Sequence, residues 1–124
     1  MIFVFGSNLD GYHAGGAARV AQEEYGALSG MGFGFAGQSY AIPTVGHGFG
    51  RLPLATVRSY IDRFIDFASS RADLEFQVTR IGCGIAGFAD GEIAPLFAEA
   101  PVNCLFDEAW EPYLNTNARI WGTF

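Results

Sequence analysis

The chain contains no lysine; all seven of its basic residues are arginine. A Schiff-base lysine, a phosphate-loop lysine and a lysine general base are thereby excluded. Cysteine is scarce as well. Cys83 and Cys104 are too few for a disulfide scaffold or a zinc finger; two isolated thiols suit a reducing cytosol, and their spacing also permits one disulfide. Two histidines and two thiols share no ligand spacing, so no metal is expected. Charge is sparse at 16% of residues and leans acidic, for a net charge of −6. Such a field repels duplex nucleic acid and anionic lipid unless a local patch reverses it. No apolar run approaches the ~20 residues of a membrane span, and the opening residues lack the basic flank of a signal peptide. The expectation is a cytoplasmic protein with neither a membrane partner nor a duplex nucleic acid partner.

What is abundant is glycine: 17 residues in 124, about twice the usual ~7%. Half the residues are hydrophobic, enough for one domain spanning residues 1–124. Residues 2–5 form a short apolar run ending at Gly6, the pattern of a strand buried on both faces. A glycine-rich loop leads into a helical stretch over residues 14–25, and residues 26–38 read as a long loop. Residues 39–42 predict a second strand ended by Pro43, followed by a second glycine-rich loop to Gly50. Leu54, Val57, Ile61, Phe64, Ile65 and Ala68 then make one apolar stripe at helical spacing, with Pro53 suited to the first turn. Residues 75–81 predict a third strand and residues 82–88 a third glycine loop. A helix over residues 91–99 with Asp90 as cap and a fourth strand over residues 102–106 complete the pattern. Residues 107–124 form an aromatic tail without a clear period, packing on the domain or on a partner.

Alternating strand, glycine loop and helix imply an α/β fold with a mainly parallel central sheet and right-handed crossovers. In such sheets ligands bind outside the carboxyl ends of the strands, where all three glycine loops must lie. The stretch Gly82-Cys83-Gly84-Ile85-Ala86-Gly87 matches a GxGxxG pattern directly after a strand. By itself the match is weak, because too little chain follows for a full dinucleotide domain. The pairing of two loops is more informative. Successive amides at Gly15, Gly16 and Ala17 form an anion nest at a helix start; a second nest on an adjacent strand end would hold a diphosphate without cationic side chains. The competing reading is that these glycines only make tight turns and close helix–strand contacts.

Four segments, GSN with the following HAGGAA, SYAIPT, VTRIGCGIAGF and EIAPLF, resemble the macro domain family. The resemblance is to its compact, divergent branches, among them small phage-associated macro-like proteins that begin with the same VFGSN phrase. It implies a three-layer α/β/α domain that binds ADP-ribose or a related NAD-derived nucleotide in a cleft at the strand ends, with no further cofactor. Asn8 would lie beside the distal ribose, with Gly6, Ser7, His13, Gly15, Gly16 and Ala17 in the first loop. Gly82, Cys83, Gly84, Ile85, Ala86 and Gly87 would form the second, with Phe88 flanking the sugar. The de-ribosylating branch with a GCG loop uses a lysine and an aspartate there. This chain has no lysine, and Ala86 stands where that acid belongs. The family often places an aspartate for the adenine amine before the first strand, a position this chain does not supply.

Several side chains keep two readings. Asn8 either binds a ribose hydroxyl or closes a turn. His13 acts as general acid or base, with Asn8 as its catalytic partner, or is a solvated loop histidine; His47 has the same ambiguity. Cys83 is an activated thiol or a small buried residue. Asp10 and Asp90 activate water or cap helices. Arg80, near the end of a buried strand, needs a carboxylate or a ligand phosphate. Phe33, Phe35 and Phe49 stack on a base or fold over the core. Three functions follow: a nucleotide-binding module, an ADP-ribosyl hydrolase or ADP-ribose 1″-phosphate phosphatase, or an assembly protein. In the last, Trp110, Tyr113, Trp121 and Phe124 would meet a second copy of the chain.

Overall fold

Residues 2–5 carry alternate apolar side chains to both faces of a sheet. In the computed structural model, which describes residues 1–124, this strand, β1 (Ile2–Asn8), lies inside the sheet. Ile2 and Val4 join one buried cluster and Phe3 and Phe5 another. β1 pairs in parallel with β3 (Ser39–Val45) on one side and β4 (Phe76–Val78) on the other. β5 (Cys104–Asp107) continues beyond β4, and β6 (Arg119–Gly122) beyond β5, both parallel. β2 (Gly34–Ala36) pairs antiparallel with β3, so the six-stranded order is β2-β3-β1-β4-β5-β6.

Two of these strands depart from the sequence reading. β2 falls in what reads as a loop; three residues between glycines give no period of their own and acquire a strand conformation from β3. β6 lies in the aromatic tail and is ordered by the edge of β5. Within that tail Trp110 is fully buried, and the Trp121 indole donates to Val78 O at 2.8 Å, so both indoles pack within the chain. β3 also runs through Pro43 rather than ending there. β2 pairs only with Ser39, Tyr40 and Ala41, so Pro43 sits where β3 has one neighbour, the position a residue without an N–H tolerates.

The predicted apolar stripe becomes α2 (Leu54–Ser70), which buries Val57, Ile61, Phe64, Ile65 and Ala68 in the larger cluster. Each such side chain stabilises by roughly 1.5–3 kcal/mol except Ala68, which is smaller. α1 (Gly16–Glu24) covers the smaller cluster through Ala21. The third helix is shorter than its pattern predicts. α3 (Asp90–Ile93) gives way to a 3-10 turn over Ala94–Phe97, because Pro95 lacks the N–H an α-helix would use. Asp90 is also not the cap; the Glu92 carboxylate accepts from the Ala89 N–H at 2.9 Å and closes that end. No helix is long and apolar enough to cross a membrane.

Candidate functional site

The carboxyl ends of β1, β3, β4 and β5 open into one cavity of about 500 Å³, within the range of small-molecule sites. Its first wall is the loop from β1 to α1. Asn8 shapes this loop by exchanging two bonds with one residue: Oδ1 accepts from the Tyr12 N–H at 2.9 Å, and Nδ2 donates to Tyr12 O at 2.8 Å. The turn-closing role of Asn8 is therefore present, and the amide keeps one N–H and one oxygen lone pair for a ligand. Beyond it, α1 begins without a side-chain cap. Its first amide with a protein acceptor is that of Arg19, bonded to Gly15 O at 3.2 Å. The N–H groups of Gly16, Ala17 and Ala18 are left open at the cavity, as the geometry of a helix start requires.

The second wall is the loop over residues 82–88. Internal bonds Cys83 N to Arg80 O, Gly87 N to Gly84 O and Phe88 N to Gly82 O fold it into tight turns. Gly82 and Gly87 both adopt φ of +76°, which a side chain would oppose. The amides of Gly84, Ile85 and Ala86 take no protein acceptor. Gly6 brings the walls together: a Cβ there would lie 3.2 Å from Gly82 N.

Between the walls the floor is polar. The hydroxyls of Ser7, Thr44 and Thr79 donate to Gly32 O, Ser7 O and Val4 O respectively, which leaves their oxygens free to accept. At the β5 end Asp107 is fully buried. Its Oδ1 accepts from Ala109 N at 2.9 Å, and its Oδ2 from Thr123 Oγ1 at 3.2 Å and Phe124 N at 3.1 Å. Arg80 meets Asp90 in a two-pronged ion pair, Nε to Oδ1 at 2.9 Å and Nη2 to Oδ2 at 2.7 Å. The Trp110 indole donates to the same Asp90 Oδ1 at 2.8 Å. These bonds raise the guanidinium pKa and hold the Asp90 carboxyl below the usual carboxylate range. Asp90 is thus committed to structure, not to water activation.

The rim is apolar. Tyr12, Phe49, Ile85 and Phe124 are exposed yet border the cavity, Ile85 by 91%. Tyr12 and Phe49 meet edge to face at 6.2 Å. Phe49 holds φ at +65°, the only non-glycine residue in that region, a strained conformation that clusters at ligand sites. Asp10 and His47 bond to each other at 2.5 Å just outside this lip. Phe33 and Phe35, in contrast, fold against the core.

The fourteen residues singled out in the sequence are thus divided. Gly6, Ser7, Asn8, Gly15, Gly16, Ala17, Gly82, Cys83, Gly84, Ile85 and Ala86 border the cavity; His13, Gly87 and Phe88 do not. His13 is 5% exposed, with Nε2 at 3.2 Å from both Leu28 O and Met31 O and its ring edge-on to Phe5. Carbonyls only accept, so Nε2 carries the proton, and the ring pins residues 28–31 to the first loop. The ring is thus neither a solvated loop histidine nor one of the residues bordering the cavity. Phe88 is buried beneath the Arg51 guanidinium, 4.3 Å from its ring centre. Sequence reasoning missed Tyr12, Thr44, Thr79, Asp107 and Phe124. The available signal was positional, since Thr44, Thr79 and Asp107 each stand at or just past the carboxyl end of a strand.

Burial pushes the Cys83 and Cys104 thiols up to about 12 and the Tyr40 phenol to about 12. Cys83 is therefore a neutral thiol at neutral pH rather than a nucleophile. The unfolded chain releases its thiol protons near pH 8.5, whereas the folded chain keeps them to about pH 12, so stability falls as pH rises through this window. Melting followed by circular dichroism should lose several degrees between about pH 9 and about pH 11. A flat profile would show that the thiols titrate alike in both states.

Comparison with protein families, curated proteins and solved structures finds no match.

Proposed function

We propose that this protein binds ADP-ribose or a related NAD-derived nucleotide in the cavity at the strand ends, as a macro-like domain of three layers. One observation carries the reading: two runs of unbonded amides, Gly16–Ala18 and residues 84–86, border a single cavity from two loops. Amides in that arrangement suit the oxygens of a diphosphate, and the helix dipole of α1 adds to them. Separate buried clusters beneath α1 and α2 support the three-layer arrangement.

The macro domain resemblance directs the distal ribose to Asn8, which retains a donor and an acceptor for it. The base then extends toward Phe124, whose backbone and neighbour Thr123 are fixed by the buried Asp107 carboxylate. Phe124 offers an exposed ring for stacking. A hydrolase built on His13 is not favoured, because the ring is held by two carbonyls away from the cavity.

Isothermal titration with ADP-ribose, AMP and NAD tests the reading. ADP-ribose should bind most tightly, and AMP at least about tenfold more weakly for lack of the second phosphate. Absence of heat with all three rejects it.

A further inference from the structure

We propose that Arg80 is an anion-binding residue of this cavity, meeting an ionised phosphate oxygen with the edge of its guanidinium that Asp90 leaves free. The inference rests on the nucleotide reading and adds to it a charged contact that backbone amides do not supply.

Arg80 is the one cationic side chain bordering the cavity. Asp90 occupies Nε and Nη2, whereas Nη1 has no protein acceptor and retains two N–H donors. The guanidinium is also held still. Asp90 is anchored by the Trp110 indole, and Trp110 is fully buried between Phe97 and Phe106. A planar fork fixed in this way loses little further freedom on meeting an anion. Position supports the same conclusion. Arg80 and Asp90 stand at the two ends of the second glycine loop, so their pair closes across it. The free edge of Arg80 and the open amides of Gly84, Ile85 and Ala86 thus belong to one unit. At a net charge of −6 the protein repels anions at a distance; a fixed guanidinium at the cavity's edge, its side chain 43% exposed, reverses that field locally.

A clasp without ligand contact would need only the Asp90 pair, so the experiment separates the two roles. Titrations of wild type, R80Q and D90N use ADP-ribose, inorganic pyrophosphate and adenosine, with melting curves as folding controls. R80Q should lose about tenfold or more in affinity for ADP-ribose and pyrophosphate, while adenosine binding changes less than about twofold. D90N keeps Oδ1 as acceptor for Arg80 Nε and the Trp110 indole but loses the prong to Nη2 while freeing the Arg80 charge, so pyrophosphate affinity should fall clearly less than in R80Q. Should R80Q fail to fold, R80K retains the charge without the fork and should still weaken pyrophosphate several-fold. Wild-type affinity in R80Q or R80K overturns the proposal, as does an equal loss in D90N, which marks a clasp alone. Wild type that takes pyrophosphate but not ADP-ribose rejects the nucleotide reading and keeps this one. Wild type that takes neither rejects both.

Discussion

Replacing Gly11 by alanine is expected to lower the melting temperature by roughly 10–20 °C, a larger loss than most single substitutions cause. A Cβ at this position would lie 2.3 Å from both Gly30 C and Met31 N, and 2.7 Å from Gly30 Cα. All three are backbone atoms, so no side-chain rotation relieves the clash. The residue also holds φ at +68°, and its carbonyl accepts from the Gly30 N–H at 2.9 Å. Strain and overpacking together amount to about 3–5 kcal/mol. The same segment receives the His13 and Ser7 bonds, so a shift there loosens the first wall of the cavity too. A melting temperature within about 3 °C of wild type would show that the two loops separate at little cost.

On the nucleotide-binding proposal, valine at Gly15 or at Gly84 should do the reverse, removing ADP-ribose binding while sparing the fold. Neither glycine has an atom within 4 Å of an added Cβ, and neither adopts positive φ. Both border the cavity beside the open amides. Valine in either place fills the space a phosphate needs, with melting expected to shift by less than about 4 °C. ADP-ribose affinity should fall by about a hundredfold or more, as befits losing close contact with a run of charge-assisted bonds. Gly16 is a poorer probe, because its φ of +57° would add strain to the loss of space. Unchanged affinity in both valine variants would place the ligand elsewhere.

The elements readable in the sequence are those with a strong local pattern. Residues 2–5 and the stripe from Leu54 to Ala68 declare themselves through burial on both faces or on one. β2 and β6 do not, because each is a strand only by virtue of the neighbour that pairs with it. The cavity follows the same rule. Glycine loops were visible as composition, and most of their residues do border it. Thr44, Thr79 and Asp107 reach it from three separate strands, a convergence that exists only once the sheet is assembled. His13 shows the converse: a histidine between glycines looks exposed in one dimension, and only the return of residues 28–31 buries it. The partner of Arg80 could be narrowed to a carboxylate or a phosphate, but choosing Asp90 required the turn of residues 82–88.

The place of β1 in the middle of the sheet has a kinetic consequence. Phe3 pairs with Ser39 on one side and Ile2 with Phe76 on the other, so both flanks of the strand wait for residues downstream. Closing so wide a chain segment before any pairing energy is returned slows the assembly of such parallel topologies. As translation proceeds, the apolar stretch Ile-Phe-Val-Phe emerges well ahead of its partners and is vulnerable to aggregation in the interval. The strand that floors the cavity is thus paired on both sides only once residues 76–78 are in place.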